Sequence, residues 1–355
     1  MIQGDFVYEA LPQRVIFGNG LRRKLQAELD RLGCKSAFVI CTPEQLGMAR
    51  ELIDSLSSES LIFSEAAMHT PVSLTNRALQ ALSNANADIL IAIGGGSAIG
   101  LAKALALRTD IPQIAVPTTY AGSESTPIIG ETENGEKRTQ RTLKVLPEVV
   151  IIDPELTHSL PVSFSVTSAI NAMAHAVEAM YSSNGNPIIS RLAEEGIRAL
   201  TNALPLLVDS PSDARAREEA AYGAWLCGTC LGSVGMALHH KVCHVLGGTF
   251  ELPHAPTHAV MLPHALAYNA PAIPQVIDVL ARVFNSAQPW LALHAMIKSL
   301  GGPTSLHEIG MRSNGLDQAA LLIQKNAYQN PRALELRAIE RMLKRAFDGE
   351  APKCD

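Results

Sequence analysis

Asn171 and His175 lie four residues apart, and His240 and His244 repeat that spacing, so on a helix each pair shares a face. Six of the chain's eleven histidines fall between positions 239 and 264: His239, His240, His244, His254, His258 and His264. One buried histidine is ordinarily a satisfied core residue, but six in one stretch, partly in helical register, are poorly explained by packing. Neutral imidazoles bind Zn²⁺ or Fe²⁺, and an imidazole titrating near neutrality can move a proton or polarise a carbonyl oxygen. Imidazoles bring no negative charge to offset a divalent cation. A carboxylate at 171 would complete an Asp/His₃ set, but the sequence has Asn171, a neutral and weaker ligand. Metal affinity is therefore expected to fall steeply, and no metal is expected.

A second constellation stands earlier in the chain. Gly94, Gly95, Gly96 and Ser97 follow the apolar run 89–93 and precede a helical pattern. Glycines let a backbone approach a pyrophosphate closely, and a helix start supplies free N–H groups and a positive dipole end. The spacing is not GxGxxG, so the usual dinucleotide fingerprint is absent. The segment Thr118, Thr119, Tyr120, Ala121, Gly122, Ser123 also leaves the end of an apolar run. Ligands of open parallel sheets gather at such strand ends, so the two loops reinforce one another.

The elements that must carry these groups differ between the two halves. Up to about residue 155, apolar runs at 37–41, 88–93, 113–116 and 149–152 alternate with helical spacing at 73–86 and 99–107. That alternation predicts a doubly wound parallel sheet. Beyond it, strand-like runs vanish, and 166–181, 188–207, 215–230, 235–246 and 332–347 read as helices. The expected organisation is an α/β nucleotide-binding domain over 1–155 and an all-α domain over 156–355 carrying the histidines. The charge-rich stretch 131–144, with Arg138 and Arg141, reads as a solvated hairpin.

Composition narrows the function. With 47% hydrophobic and 18% charged residues a large core is affordable, and a formal charge of −5 gives no footprint for nucleic acid or anionic membrane. No run approaches the roughly 20 apolar residues of a membrane span. The first residues carry no basic start and long apolar run, so no signal peptide is read. Six scattered cysteines are expected to be reduced thiols of a cytoplasmic enzyme. Cys227 and Cys230, although spaced CxxC, sit in an apolar helical stretch and read as core.

With these segments in view, the chain resembles the iron-containing alcohol dehydrogenase superfamily and, within it, the maleylacetate reductase branch. The resemblance covers essentially the whole chain. It is carried by segments 10–18 (ALPQRVIFG), 69–72 (HTPV), 94–97 (GGGS), 117–124 (PTTYAGSE), 237–244 (ALHHKVCH) and 252–259 (LPHAPTHA). The resemblance implies an active site in a cleft between the domains and a homodimer. It places Gly94, Gly95, Gly96 and Ser97 on the cofactor pyrophosphate, with Thr118, Thr119, Ser123 and Lys144 at the cofactor. The superfamily's metal ligands map to Asn171, His175, His240 and His254, and the departure at 171 is itself typical of the metal-independent branch.

The implied reaction is reduction of the conjugated double bond of maleylacetate, a small dicarboxylate, to 3-oxoadipate. Reduction at the alkene carbon remote from the ketone puts negative charge on the ketone oxygen, which needs a fixed donor. His175, His240, His244 or His254 is expected to fill that role and to return a proton. Lys241, His258 and the Tyr120 hydroxyl are candidates for the substrate carboxylates, although a helix turns Lys241 roughly 100° from His240, which favours a solvated surface position for it. Glu44, close to the end of the second predicted strand, would repel a 2′-phosphate, so NADH is expected, with NADPH accepted. The rivals are a metal-dependent alcohol or aldehyde dehydrogenase keeping Asn171 as a poor ligand, a dehydroquinate synthase-like lyase, and a non-catalytic nucleotide sensor. The lyase would want more phosphate-binding lysines, and a sensor has no use for clustered imidazoles.

Overall fold

The computed structural model describes residues 5–133, 136–325 and 328–354, and it divides into two compact units. One takes in Ala10–Leu160. The other takes in Pro161–Asp355 together with residues 5–9.

The first unit is built on eight strands: β1 (Arg14–Phe17), β2 (Ser36–Ile40), β3 (Glu59–Phe63), β4 (Ile89–Gly94), β5 (Gln113–Pro117), β6 (Ile128–Glu133), β7 (Glu136–Arg141) and β8 (Val149–Ile152). Six form one sheet in the order β1-β8-β5-β4-β2-β3, with every neighbouring pair parallel. Parallel neighbours need crossovers, which come largely from α1 (Leu25–Leu32), α2 (Leu46–Ile53), α3 (Val72–Ala85) and α4 (Gly96–Thr109). Strands β4, β5 and β8 are buried along their whole length, as their unbroken apolar runs require. The four apolar runs read from the sequence are β2, β4, β5 and β8. The edge strands β1 and β3 were not anticipated: each is short and half-exposed, with only three consecutive apolar residues after a polar start, too brief a run to stand out. Strands β6 and β7 form the expected antiparallel hairpin.

The order of strands fixes where a ligand can lie. From β2 the chain steps outward to β3, then returns to β4 and proceeds the other way to β5. The carboxyl ends of β2 and β4 therefore flank the switch point, where such sheets hold ligands.

The second unit is helical: α5 (Val162–Ala179), α6 (Pro187–Asp209), α7 (Ala214–Ser233), α8 (Leu238–Phe250), α9 (His254–Asn269), α10 (Pro274–Val283), α11 (Pro289–Ser299), α12 (Leu316–Lys325) and α13 (Leu336–Asp348). Helix α5 is its axis, with every residue from Ser165 through Ala179 buried. Helices α6 and α7 cross closely because Gly196 and Gly223 meet there: a Cβ on Gly196 would stand 2.9 Å from Cys227 Sγ, and one on Gly223 would stand 2.9 Å from the Gly196 carbonyl. The CxxC cysteines are thus packing atoms at a helix crossing, both buried and unpaired, and burial pushes the Cys227 thiol well above its usual range. Helix α9 was not anticipated, because Pro256 and Pro263 interrupt its pattern. No single helix among the described residues is long and apolar enough to cross a membrane.

Candidate active site

In the α/β unit the glycine triplet does what its residue type allows. Gly94 ends β4 at φ +147°, in the region L side chains rarely adopt. Gly95 caps α4, and a Cβ there would meet the Thr119 side chain at 2.8 Å. Over Gly96 lies open space, with no atom within 4 Å of where a Cβ would be. No side chain caps α4, so its first N–H groups have no capping partner. The two predicted loops touch: Thr118 N–H donates to the Gly94 carbonyl at 3.1 Å.

Two residues without an assigned role tie these loops together. Gln45, in the turn after β2, donates from Nε2 to Thr118 Oγ1 at 2.7 Å, and its Oε1 stands over Gly94 where a side chain would clash. Lys103 on α4 is fully buried, and its ammonium reaches the carbonyls of Ser123, Thr126 and Ile128 and the Thr126 hydroxyl. Burial lowers it to about 7 against the opposing charge of Glu124, and burial raises the Glu124 carboxyl in turn. The pair braces the Ser123 turn from inside.

Two other predicted residues are placed differently from Gly94–Ser97. Lys144 is exposed and pairs with Asp110, Nζ to Oδ1 2.8 Å. Tyr120 is buried, and its hydroxyl donates to Thr157 Oγ1 at 3.2 Å.

In the helical unit α5, α8 and α9 bring the imidazoles together. His258 is the hub: its ring centroid lies 4.4 Å from His254, 4.8 Å from His239, 5.1 Å from His240 and 6.4 Å from His175. His175 and His240 are 5.2 Å apart, and His240 and His244 are 6.3 Å apart. Burial is graded. His239 and His258 are fully enclosed, His175 and His240 nearly so, while His244 and His254 are exposed. Lys241 is half-buried on α8. His264 does not belong to the cluster. It lies on α9 beyond His258, 6.2 Å from His294, so the density of histidines in the sequence overstates the group by one.

The residue missing from the sequence reading is Glu178. On α5 it follows Asn171 and His175 in the stripe i, i+4, i+7, and that spacing was the signal available. Its carboxylate is fully buried and accepts backbone N–H groups at the start of α8: Ala237 at 2.9 Å, His239 at 2.7 Å and His240 at 3.3 Å. Helix α8 has no side-chain cap of its own, so a carboxylate from a neighbouring helix satisfies its orphan donors and its positive end. The same carboxylate takes His240 Nδ1 at 2.6 Å. Burial alone would raise Glu178, but the His240 hydrogen bond, the neighbouring imidazoles and the Ala237 N–H outweigh it and hold the group at about 2.

That bond decides which atoms face the interior. A carboxylate only accepts, so His240 Nδ1 carries a proton and Nε2 is the ring atom left for a ligand. His240 Nε2, Asn171 Oδ1, His175 Nδ1 and His258 Nε2 are all buried and without a protein partner. Burial first, and the neighbouring imidazoles second, hold His175 and His258 well below the usual histidine range, so both are neutral. Deeper still, His239 Nε2 and His258 Nδ1 share a hydrogen bond of 2.9 Å.

Comparison with known proteins places both units. Residues 12–154 match the iron-containing alcohol dehydrogenase model, and residues 165–347 match that of the Fe-containing alcohol dehydrogenase family C-terminal domain. The chain is 49% identical to a maleylacetate reductase of Sphingobium indicum, over 98% of this chain and 99% of that one. It is 51% identical to one from a Rhizobium species, with the same coverage. The crystal structure of maleylacetate reductase from Agrobacterium tumefaciens superposes with a TM-score of 0.96 at 50% identity, covering 99% of this chain and all of that one. The chain belongs to the iron-containing alcohol dehydrogenase family and is an oxidoreductase of that family.

Proposed function

We propose that this chain reduces the conjugated double bond of maleylacetate to give 3-oxoadipate, using NADH and accepting NADPH, without a metal. Relatives of that name match nearly its whole length. The observation that carries the reading is Asn171 in the stripe where a carboxylate would ligate, with Glu178 bonded instead to His240 at 2.6 Å.

A reduced nicotinamide supplies the hydride when bound. The uncapped start of α4 and the open space over Gly96 suit its pyrophosphate, with Thr118, Thr119 and Ser123 alongside. Glu44 is exposed after β2, and the Thr42 hydroxyl holds it below the usual carboxylate range, so its charge opposes a 2′-phosphate.

Reduction at the alkene carbon remote from the ketone leaves negative charge on the ketone oxygen. A proton at His240 Nε2 makes that ring a cation paired with Glu178, fixed at Nδ1 and offering an N–H to the developing enolate. His254 or His244, both exposed, then supplies the proton for the adjacent carbon, a role that neutral His175 does not take. His258 and Lys241 remain for the substrate carboxylates. The Tyr120 hydroxyl, committed to Thr157, is not assigned to them.

The family name implies iron. The positions that the resemblance assigns to the metal carry an amide and three imidazoles, so a divalent ion would keep its whole charge, while Glu178 is engaged by His240 and the α8 backbone. The donor set does not fit a tightly held divalent ion, and no step passes through one. One assay tests the proposal: NADH oxidation with maleylacetate and with simple aldehydes, each with and without a chelator. Rapid, chelator-resistant turnover of maleylacetate is expected. Chelator-sensitive turnover confined to aldehydes would establish the rival metal-dependent dehydrogenase.

A further inference from the structure

Three donor atoms take no part in the reaction proposed above: His239 Nε2, Cys243 Sγ and the inner Nδ1 of His258, whose outer Nε2 is the atom left for substrate. His239 and Cys243 stand four residues apart on α8 and so share a face, and His258 faces them from α9. His239 Nε2, Cys243 Sγ and His258 Nδ1 all lie within 4.8 Å of one another, and all three residues are buried. The nitrogens are 2.9 Å apart, and Cys243 Sγ is 3.7 Å from His239 Nε2. Tetrahedral zinc, with bonds of about 2.0 Å to nitrogen and about 2.3 Å to sulfur, sets its donors roughly 3.3 Å (N to N) and 3.5 Å (N to S) apart. The observed spacings fall on either side of those values, so adjustments well under 1 Å would bring these two pairs into register.

We infer that His239, Cys243 and His258 form a site for a soft divalent cation of the zinc class, separate from the position where the family's iron ligands fall. This set has what Asn171, His175, His240 and His254 lack, an ionisable anionic donor. A thiolate prefers Zn²⁺ to harder ions. Burial first, and the Glu178 carboxylate second, hold the free Cys243 thiol well above its usual range, so the thiolate forms only as the metal binds. The protons balance. Cys243 loses its S–H proton to solvent as the metal–sulfur bond forms. The proton shared by the two imidazoles passes to the outer nitrogen of whichever ring carried it, His239 Nδ1 or His258 Nε2, freeing both inner lone pairs. Neither ring changes charge.

The experiment uses the purified full chain, stripped with chelator and dialysed, then titrated with Co²⁺ as a spectroscopic probe and with Zn²⁺. A near-ultraviolet thiolate-to-cobalt charge-transfer band saturating at one equivalent is expected. Cys243→Ser should abolish it and His254→Ala should leave it in place. Zinc-edge X-ray absorption on the unsubstituted protein should show one sulfur at about 2.3 Å with imidazole nitrogens, a readout independent of how any variant folds. A zinc shell of nitrogen and oxygen alone, or a cobalt band that survives Cys243→Ser, overturns the assignment. So does a band that disappears in His254→Ala, which would place the metal on the family's ligand positions.

Discussion

The two units prepare their sites with different parts of the chain. The α/β unit offers backbone: glycines, a strand end and uncapped N–H groups at Gly96 and after, with side chains serving to hold the loops. The helical unit offers side chains: six imidazoles, one of them, His240, aimed by a buried carboxylate. A backbone site depends on the absence of atoms and fails when one is added. A side-chain site depends on particular atoms and fails when one is taken away. The comparison predicts opposite mutational signatures for the two.

Gly95→Val should have the largest effect, because the new side chain meets Thr119 and closes the approach to the helix start. Nucleotide affinity, read by quenching of NADH fluorescence, should fall at least about a hundredfold, roughly 3 kcal/mol. Removal of the histidines' own groups should leave that binding intact. Wild-type affinity in Gly95→Val would break the distinction.

Lys103→Met comes next. It strands the carbonyls of Thr126 and Ile128 in the interior, at about 1–3 kcal/mol for each one left unsatisfied, while the Ser123 carbonyl keeps the Thr126 N–H and hydroxyl. Urea unfolding should show a loss of about 3 kcal/mol with weakened nucleotide binding. An unchanged midpoint would mean that the ammonium does not brace the Ser123 turn.

In the helical unit Glu178→Gln keeps the shape and removes the charge, and charge-assisted bonds of this kind contribute about 1.5–3 kcal/mol. Turnover should fall with little change in NADH affinity. The sign of the pH effect follows from the group's lowered position. Its stabilisation is present in full above the unfolded carboxylate range and lost as pH falls from about 4.5 through about 2. The variant's stability should therefore be flatter over that range, and an identical acid limb would remove the carboxylate from the account.

His264→Leu should be the mildest change near neutrality. Burial, with His294 and Arg345 nearby, lowers His264 to about 3. The unfolded chain takes up a proton near pH 6.5 that the folded one refuses, so stability is lost between those values as pH falls. Removing the imidazole should recover about 2 kcal/mol at pH 5 and little at pH 8, with turnover unaltered. A large loss of turnover would return His264 to the cluster.

The same contrast governs what was legible. Strands buried on both faces announce themselves by unbroken apolar runs, and the glycine loop by composition, so the sheet's centre and the loops that leave β4 and β5 were readable. Strands β1 and β3 were not, because an edge exposes one side and dilutes the pattern. The histidine group was readable as a concentration but not as a shape. That His264, six residues beyond His258, falls on another face could be read only once α9 was known to run as one helix through Pro263, and Glu178 read as one acid among many until α8 was seen to begin on top of it. Gln45 and Lys103 had no signal beyond position, since their partners lie in distant loops.

Glu178 also bears on how this protein could be altered. One carboxylate both starts a helix and aims an imidazole, so stability and turnover are coupled at that position. A library randomised there would yield few survivors in either screen, and a single compensating change elsewhere could not restore both properties. Asn171 carries no such double duty, which makes it the place in the histidine chamber where new chemistry can be tried without first rebuilding the scaffold.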